Sequence, residues 1–336
     1  MPAQDDRSPL PKGRFAMLNC LQGSYSEDIR RDVREGLSSG HKSIPSKYFY
    51  DSRGSRLFEK ICGLPEYYQT RTELSILENS AAGIVGNFRK GDLVELGSGA
   101  NWKIRALLDK VPETDLPHVH YLPVDVSESV LLEASEELLG IFPDLKVFCI
   151  VGDFTKPIEY IPAGCEKLFV IFGSTIGNLT EQEGCSLLKG IARCMGARDR
   201  LLIGTDMIKP KDILEAAYND SQGITSEFNK NILHVLNREL HAHFNPRCFD
   251  HMAFYNPEEE QVEMHLQANR RISVEIEELD MTIGIRKGET IRTEICRKFS
   301  RTGIEKMAGQ SGLRISRWFS DPKEWFCLTE LVRWSA

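Results

Sequence analysis

The stretch LVELGSGANWK, Leu93–Lys103, decides the fold. An apolar run, Leu93, Val94 and Leu96, leads straight into Gly97 and Gly99 at G-x-G spacing, with Ser98 between them. Such a run marks a strand that turns sharply where a backbone must approach a ligand without a Cβ in the way. A dinucleotide-binding turn needs a third glycine three residues on, where its helix packs close to a pyrophosphate, and this chain has Trp102 there. That indole disfavours a nicotinamide cofactor and points to a ligand without a diphosphate.

Outward from this turn, short β-branched runs alternate with helical patterns, the signature of parallel strands joined by crossover helices. Strands are expected at Leu93–Gly97, Tyr121–Val126, Lys146–Gly152, Lys167–Gly173 and Arg200–Thr205, with helices at Trp102–Lys110, Glu128–Leu139 and Glu181–Met195, the last capped by Thr180. Near the C-terminus, Leu313–Phe319 and Trp325–Val332 flank Ser320-Asp321-Pro322, a connection too short for a parallel crossover, so an antiparallel pair must close the sheet. The expected fold is α/β, a Rossmann-like sheet of seven strands with an antiparallel end.

The stretch 207–296 is patterned differently, with a helical run over Lys211–Leu240 followed by alternating strands in HMAFYN, QVEMHLQA, RRISVEIEEL and ETIRTEICRKF. With 27–71 it is expected to form a second α+β lobe, leaving 72–206 and 297–336 as the sheet domain and 1–26 as a mobile leader.

Forty-one per cent apolar residues and a net charge of -7 describe a globular chain without the basic stripe of a nucleic-acid binder, and no apolar run spans a bilayer. A cytoplasmic monomer acting on a small molecule, with neither nucleic-acid nor membrane partner, is expected. Nine scattered cysteines with no C-x-x-C pair argue against a zinc ribbon or a disulfide framework. His241 and His243 stand in an H-A-H pair with no further ligand nearby, so no metal is expected.

At the strand ends, Asp125 closes LPVDV and Asp153-Phe154 follows the next strand. An ionised carboxylate accepts both hydroxyl donors of a ribose, while Asp153 and Phe154 suit an adenine amino group and ring. This set fits S-adenosylmethionine, which carries no phosphate, with S-adenosylhomocysteine as product. The structural alternative is that both aspartates cap turns, as aspartate after a strand often does.

S-I-P-S-K-Y-F-Y-D (Ser43–Asp51), L-P-E-Y-Y (Leu64–Tyr68), E-L-G-S-G (Glu95–Gly99), G-S-T-I-G-N (Gly173–Asn178), N-R-E-L (Asn237–Leu240) and T-E-I-C-R-K-F (Thr293–Phe299), in this order, closely resemble the L-histidine Nα-methyltransferases of ergothioneine biosynthesis, from about Arg30 to the C-terminus. The resemblance implies a methyltransferase sheet domain with a substrate-binding second lobe. It also implies an amino acid backbone held by Tyr67, Gly173, Asn178 and Tyr218, and an imidazole gripped by Glu294. Lys103, Tyr50 and Phe58 would lie in or beside the pocket. An amino acid amine is largely protonated at neutral pH, so a proton must leave before each transfer, toward Tyr50 or solvent.

Where that family has a serine two residues after the acid, this chain has Cys296. A thiol is a weaker donor and acceptor than a hydroxyl, so one of two imidazole contacts is degraded. The expected activity is methylation of the histidine α-amino group, up to three times. The alternative is a sibling N-methyltransferase acting on another amino acid or amine, such as a tryptophan derivative, with Cys296 and Met264 shaping a more apolar pocket. A catalytically silent sensor would retain the binding residues without turnover.

Overall fold

The computed structural model describes residues 13–21, 24–156, 158 and 160–334. In chain order its elements begin with β1 (Phe15–Asn19), α1 (Ser24–Ser38), α2 (Ser52–Cys62), α3 (Tyr68–Val85), β2 (Gly91–Leu96), α4 (Trp102–Leu108), β3 (Val119–Asp125), α5 (Glu128–Ile141), β4 (Lys146–Val151), β5 (Lys167–Ile171), α6 (Glu181–Cys194) and β6 (Arg200–Asp206). There follow α7 (Lys211–Ala216), α8 (Ile224–Glu239), β7 (Phe249–Asn256), β8 (Gln261–Ala268), β9 (Ile272–Ile276), β10 (Met281–Ile285), β11 (Thr290–Arg297), α9 (Arg301–Gln310), β12 (Leu313–Ser320) and β13 (Phe326–Arg333). They divide into two compact units, one of residues 1–21, 72–207 and 299–336, the other of 22–71 and 208–298.

The first unit is a sheet in the order β1-β4-β3-β2-β5-β6-β13-β12. Strands β1 to β6 run parallel, β13 is antiparallel to β6, and β12 is antiparallel to β13. Leu93 packs into the core on one face, Val94 and Leu96 into the core on the other, and all three are wholly buried, which is why β2 reads as an unbroken apolar run. Burying each such side chain stabilises the fold by about 1.5–3 kcal/mol. Helix α6 starts where expected, in a capping box: Thr180 Oγ1 accepts from Glu183 N at 3.3 Å, and Thr180 N donates to Glu183 Oε2 at 2.8 Å. The strand order reverses at β2, between β3 and β5, the place where open α/β sheets hold ligands beyond their carboxyl ends.

The seven expected strands are present, and an eighth extends the sheet. Phe15–Asn19, assigned to a mobile leader, is instead β1, parallel to β4 with Phe15 opposite Val147 and Asn19 opposite Val151. Met17 packs on the core, and Arg14 donates to the carbonyls of Leu139 (3.0 Å) and Phe142 (3.2 Å) at the end of α5. Helix α1 starts at Ser24, also inside the expected leader, while residues 1–12, 22 and 23 lie outside the described residues.

The second unit holds the antiparallel sheet β11-β8-β7, the hairpin β9–β10, and helices α1, α2, α7 and α8. The single helical run expected over Lys211–Leu240 is two helices, because Gly223 turns left-handed at φ 73° and Asp220 caps the second by accepting from Ile224 N (2.9 Å) and Thr225 N (2.8 Å). Helix α8 packs on the segment before α2: the Phe49 and Phe228 rings lie 4.6 Å apart, and Asn231 Nδ2 donates to Asp51 Oδ1 at 2.8 Å. Among the described residues no helix is long and apolar enough to cross a membrane.

Candidate active site

In the sheet unit, the carboxyl ends of β2, β3 and β4 bring together the residues assigned to the cofactor. Gly97 turns at φ 79°, and a Cβ there would stand 3.2 Å from the Phe154 ring and 3.4 Å from Thr175 Cγ2. The turn therefore needs glycine for its backbone and for its space. Glu95, buried beneath it, accepts a very short hydrogen bond from Tyr121, whose hydroxyl also lies 3.0 Å from Ser98 Oγ. Burial pushes the Glu95 carboxyl up to about 7, against the lowering pull of Tyr121 and Lys103.

Asp125 Oδ1 accepts from Ser127 N at 2.9 Å, and Asp153 Oδ1 accepts from Thr155 N (3.0 Å) and Thr155 Oγ1 (2.5 Å). Both aspartates thus organise turns, and the capping role weighed from sequence is real for each. Desolvation pushes the Asp125 carboxyl up to about 7, with the Asp153 charge adding to the rise. An acid so placed gains from a ligand that brings hydroxyl donors, which the turn contact alone does not supply.

Lys103 projects from α4 to Glu73 on α3, Nζ to Oε2 at 2.7 Å. The Glu73 carboxylate, wholly buried, also accepts the Gly173 N–H on both oxygens, at 3.0 and 2.9 Å. Gly173 takes φ 70°, Ser174 follows at φ 57°, and Ser174 Oγ accepts from Asp206 N at 3.0 Å, so the turn after β5 is locked from both sides. Asn178 ends the short 3-10 helix Thr175–Asn178, half-buried, and its amide makes no hydrogen bond among the described residues.

The second unit gathers Tyr50, Phe58, Tyr67, Tyr218, Met264, Glu294 and Cys296. Phe58 meets Tyr50 and Tyr67 edge-on at 5.7 and 6.1 Å between ring centres, and Phe228, from α8, lies 5.6 Å from Tyr50 and 5.9 Å from Phe58. A buried chain runs from Tyr67, which donates to Gln69 Oε1 (2.9 Å), through Gln69 Nε2 to the Tyr218 oxygen (3.1 Å). Lys298, itself buried, donates to that same oxygen and to Cys296 Sγ, both at 3.1 Å. Burial holds the Tyr67 phenol well above its ordinary range. On the sheet, Glu294 sits opposite Met264 and Cys296 opposite Val262, so acid, thioether and thiol share one face.

Glu73, Gln69, Phe228 and Lys298 carry these contacts and were missed from sequence, although Lys298 lies inside the T-E-I-C-R-K-F motif. His241 and His243 face Glu278 (3.5 Å) and Glu277 (2.8 Å). Among the described residues no three His, Cys, Asp or Glu groups gather as a metal site.

Residues 29–333 match a family described as histidine-specific methyltransferase, SAM-dependent. The chain is 40% identical over 310 residues to the histidine N-alpha-methyltransferase of Mycolicibacterium smegmatis, covering 92% of this chain and 96% of that one. It is 40% identical over 293 residues to the protein of the same name from Mycobacterium tuberculosis, covering 87% and 91%. The N-methyltransferase fsqC of Aspergillus fumigatus is 25% identical over 327 residues, covering 93% and 86%. The family match over residues 29–333 and the 40% identity to two relatives along most of both chains establish that the chain belongs to the histidine-specific, S-adenosylmethionine-dependent methyltransferases.

Proposed function

We propose that the chain methylates the α-amino nitrogen of L-histidine, up to three times. The observation that carries this reading is Glu294, an acid on the same sheet face as Met264 and Cys296, where a partly desolvated carboxylate accepts an imidazole N–H. The two relatives named as histidine N-alpha-methyltransferases support it.

When bound, S-adenosylmethionine supplies an electrophilic methyl on a sulfonium. Asp125 would accept its ribose hydroxyls, Asp153 and Phe154 would take the adenine, and the backbone at Gly97–Gly99 would face its amino acid part, with Lys103 held by Glu73, which also accepts from Gly173 N. Tyr67, Tyr218 and the Asn178 amide offer donors and acceptors to a zwitterion, which needs both. Holding the amine lone pair in line at about 3–3.5 Å is the main catalytic task. The amine's proton leaves directly to solvent or through the Tyr50 hydroxyl, which would pass its own proton on as it takes one up. The rings of Tyr50, Phe58 and Tyr67 accommodate methylated ammonium, which has lost hydrogen-bond donors but keeps its attraction to aromatic faces.

A second reading has one observation in its favour. Cys296 Sγ is engaged by Lys298 and offers no hydroxyl, which suits a sibling enzyme acting on another amino acid or amine, such as a tryptophan derivative. Incubation of the chain with each of the twenty amino acids and tryptophan derivatives in the presence of S-adenosylmethionine, read by mass, decides between them. Histidine gaining one to three methyls supports the first; methylation of another amine with histidine untouched establishes the second, and no turnover at all leaves a sensor.

A further inference from the structure

Strand β11 does not run in regular register against β8. Ile291 faces Leu266 and Arg292 faces His265, but Glu294 then faces Met264, so Thr293 is an extra residue, a β-bulge. In an uninterrupted strand Arg292, Glu294 and Cys296 would share a face, because side chains alternate with a period of two. That face is the one of His265 and Glu263, where Glu263 already accepts from His265 Nε2 (2.9 Å), Gln261 Nε2 (2.9 Å) and Asn256 Nδ2 (3.0 Å). The bulge moves Glu294 and Cys296 to the face of Met264 and Val262, away from this second carboxylate.

Side chains hold the bulge where the ladder is interrupted. The Thr293 hydroxyl, wholly buried, donates toward Asn229 Oδ1 at 2.6 Å and toward the Met264 carbonyl at 3.1 Å. Asn229, also wholly buried and carried on α8, gives its amide hydrogens to the His265 carbonyl (3.0 Å) and to His251 Nδ1 (2.8 Å). His251 therefore carries its proton on Nε2 and donates it to the Tyr218 carbonyl at 2.8 Å. An accepting Nδ1 requires a neutral ring, and burial lowers the His251 basicity in the same sense. Flipping the Asn229 amide would set its oxygen against the His265 carbonyl, so one orientation is specified.

We propose that Thr293, through Asn229 and His251, is a positioning residue for substrate selection: it locks the bulge that aims Glu294 and Cys296 and ties that bulge to the main chain of Tyr218. This rests on the reading of Glu294 as the group that reads the substrate side chain.

The test compares Thr293→Val, Thr293→Ser and Glu294→Ala in the full chain, measuring KM for histidine, the share of methyl groups going to histidine in an equimolar amino acid mixture, S-adenosylhomocysteine affinity and Tm. Thr293→Val is expected to raise the histidine KM by about tenfold and lower histidine's share, with S-adenosylhomocysteine affinity unchanged, whereas Thr293→Ser keeps the parent values. If the valine variant does not fold, Thr293→Cys, of similar size with a weak donor, replaces it. A fall in Tm with KM and share unchanged would overturn the inference, since a merely structural hydroxyl predicts just that. If Glu294→Ala relaxes selection and the Thr293 variants do not, the bulge inference alone fails. If Glu294→Ala changes nothing, the substrate reading fails and the inference with it.

Discussion

The ammonium nitrogen of Lys298 lies 3.1 Å from the phenolic oxygen of Tyr218 and 5.0 Å from the centre of its ring. Gln69 Nε2 reaches the same oxygen, so Tyr218 accepts from two donors, one of them a buried cation. Donors on a phenolic oxygen polarise its O–H and make it a stronger donor in turn. Replacing Lys298 by Met keeps the length of the side chain and removes the charge. The expected result is a histidine KM raised by at least about tenfold, with S-adenosylhomocysteine affinity unchanged by calorimetry. Lys298→Arg is not expected to rescue, because a guanidinium fork does not fit a site built around a single buried ammonium. An unchanged KM in Lys298→Met would remove the lysine from the substrate site.

Glu73, Lys103 and the Gly173 N–H form one buried unit, and its members depend on each other. Glu73→Gln removes the carboxylate 2.7 Å from Lys103 Nζ, and breaking an ion pair costs about 3–5 kcal/mol when the pair is buried. Lys103→Met alone strands the carboxylate, although Gly173 N still bonds to it. Denaturant unfolding of both single variants and the double should show the double variant destabilised by less than the two single losses combined. Strict additivity would mean that the pair contributes no coupling.

The strand ends were legible and these supporting residues were not, for a physical reason. A parallel core strand is an apolar run that stops at Gly or Asp, as in Leu93–Gly97 and in LPVDV, and its end is a position that chemistry can use. Glu73 reads as one more acid on a helix, where carboxylates are usually solvated, and only the return of the chain to Gly173, 100 residues later, buries it. Thr293 sits in what reads as plain alternation, and a bulge has no signature in one strand alone. The edge strand β1 escaped notice because its five residues are half-buried or exposed and follow a proline-rich, charged segment. In the second unit β10 was not foreseen at all, since Met281–Ile285 contains Gly284 and leaves a hairpin turn through Asp280 at φ 45°.

Asp125 titrates near 7 in the folded chain because its surroundings desolvate the charged form, whereas in the unfolded chain it titrates near 3.8. Between those values the folded state binds more protons, so this residue's contribution to stability falls as pH rises from about 4 to about 7. Asp125→Asn should therefore be more stable relative to the parent at pH 8 than at pH 5. Cofactor affinity follows the opposite sense. A ribose brings donors and favours the carboxylate, so S-adenosylhomocysteine should bind more tightly as pH rises through about 7, with proton release visible by calorimetry in buffers of different ionisation enthalpy. Asp125→Asn should flatten that dependence; a pH-dependence that survives the substitution would place the titrating group elsewhere.

The two glycines of the turn make separable predictions about fold and ligand. At Gly97 alanine must adopt φ 79° and bring its Cβ to 3.2 Å from the Phe154 ring, so the fold itself loses stability, by about 1–2 kcal/mol from the backbone alone. At Gly99 no heavy atom lies within 4 Å of an added Cβ, and the backbone is not left-handed. Gly99→Ala should then leave the unfolding free energy within the scatter of surface substitutions, about 0.5 kcal/mol. If S-adenosylmethionine lies against this stretch of backbone, the same methyl that the protein tolerates will meet the ligand, and S-adenosylhomocysteine affinity will drop by about tenfold or more. An undiminished affinity in Gly99→Ala, with Gly97→Ala weakening binding only in step with its stability, would mean that the ligand does not lie against this turn.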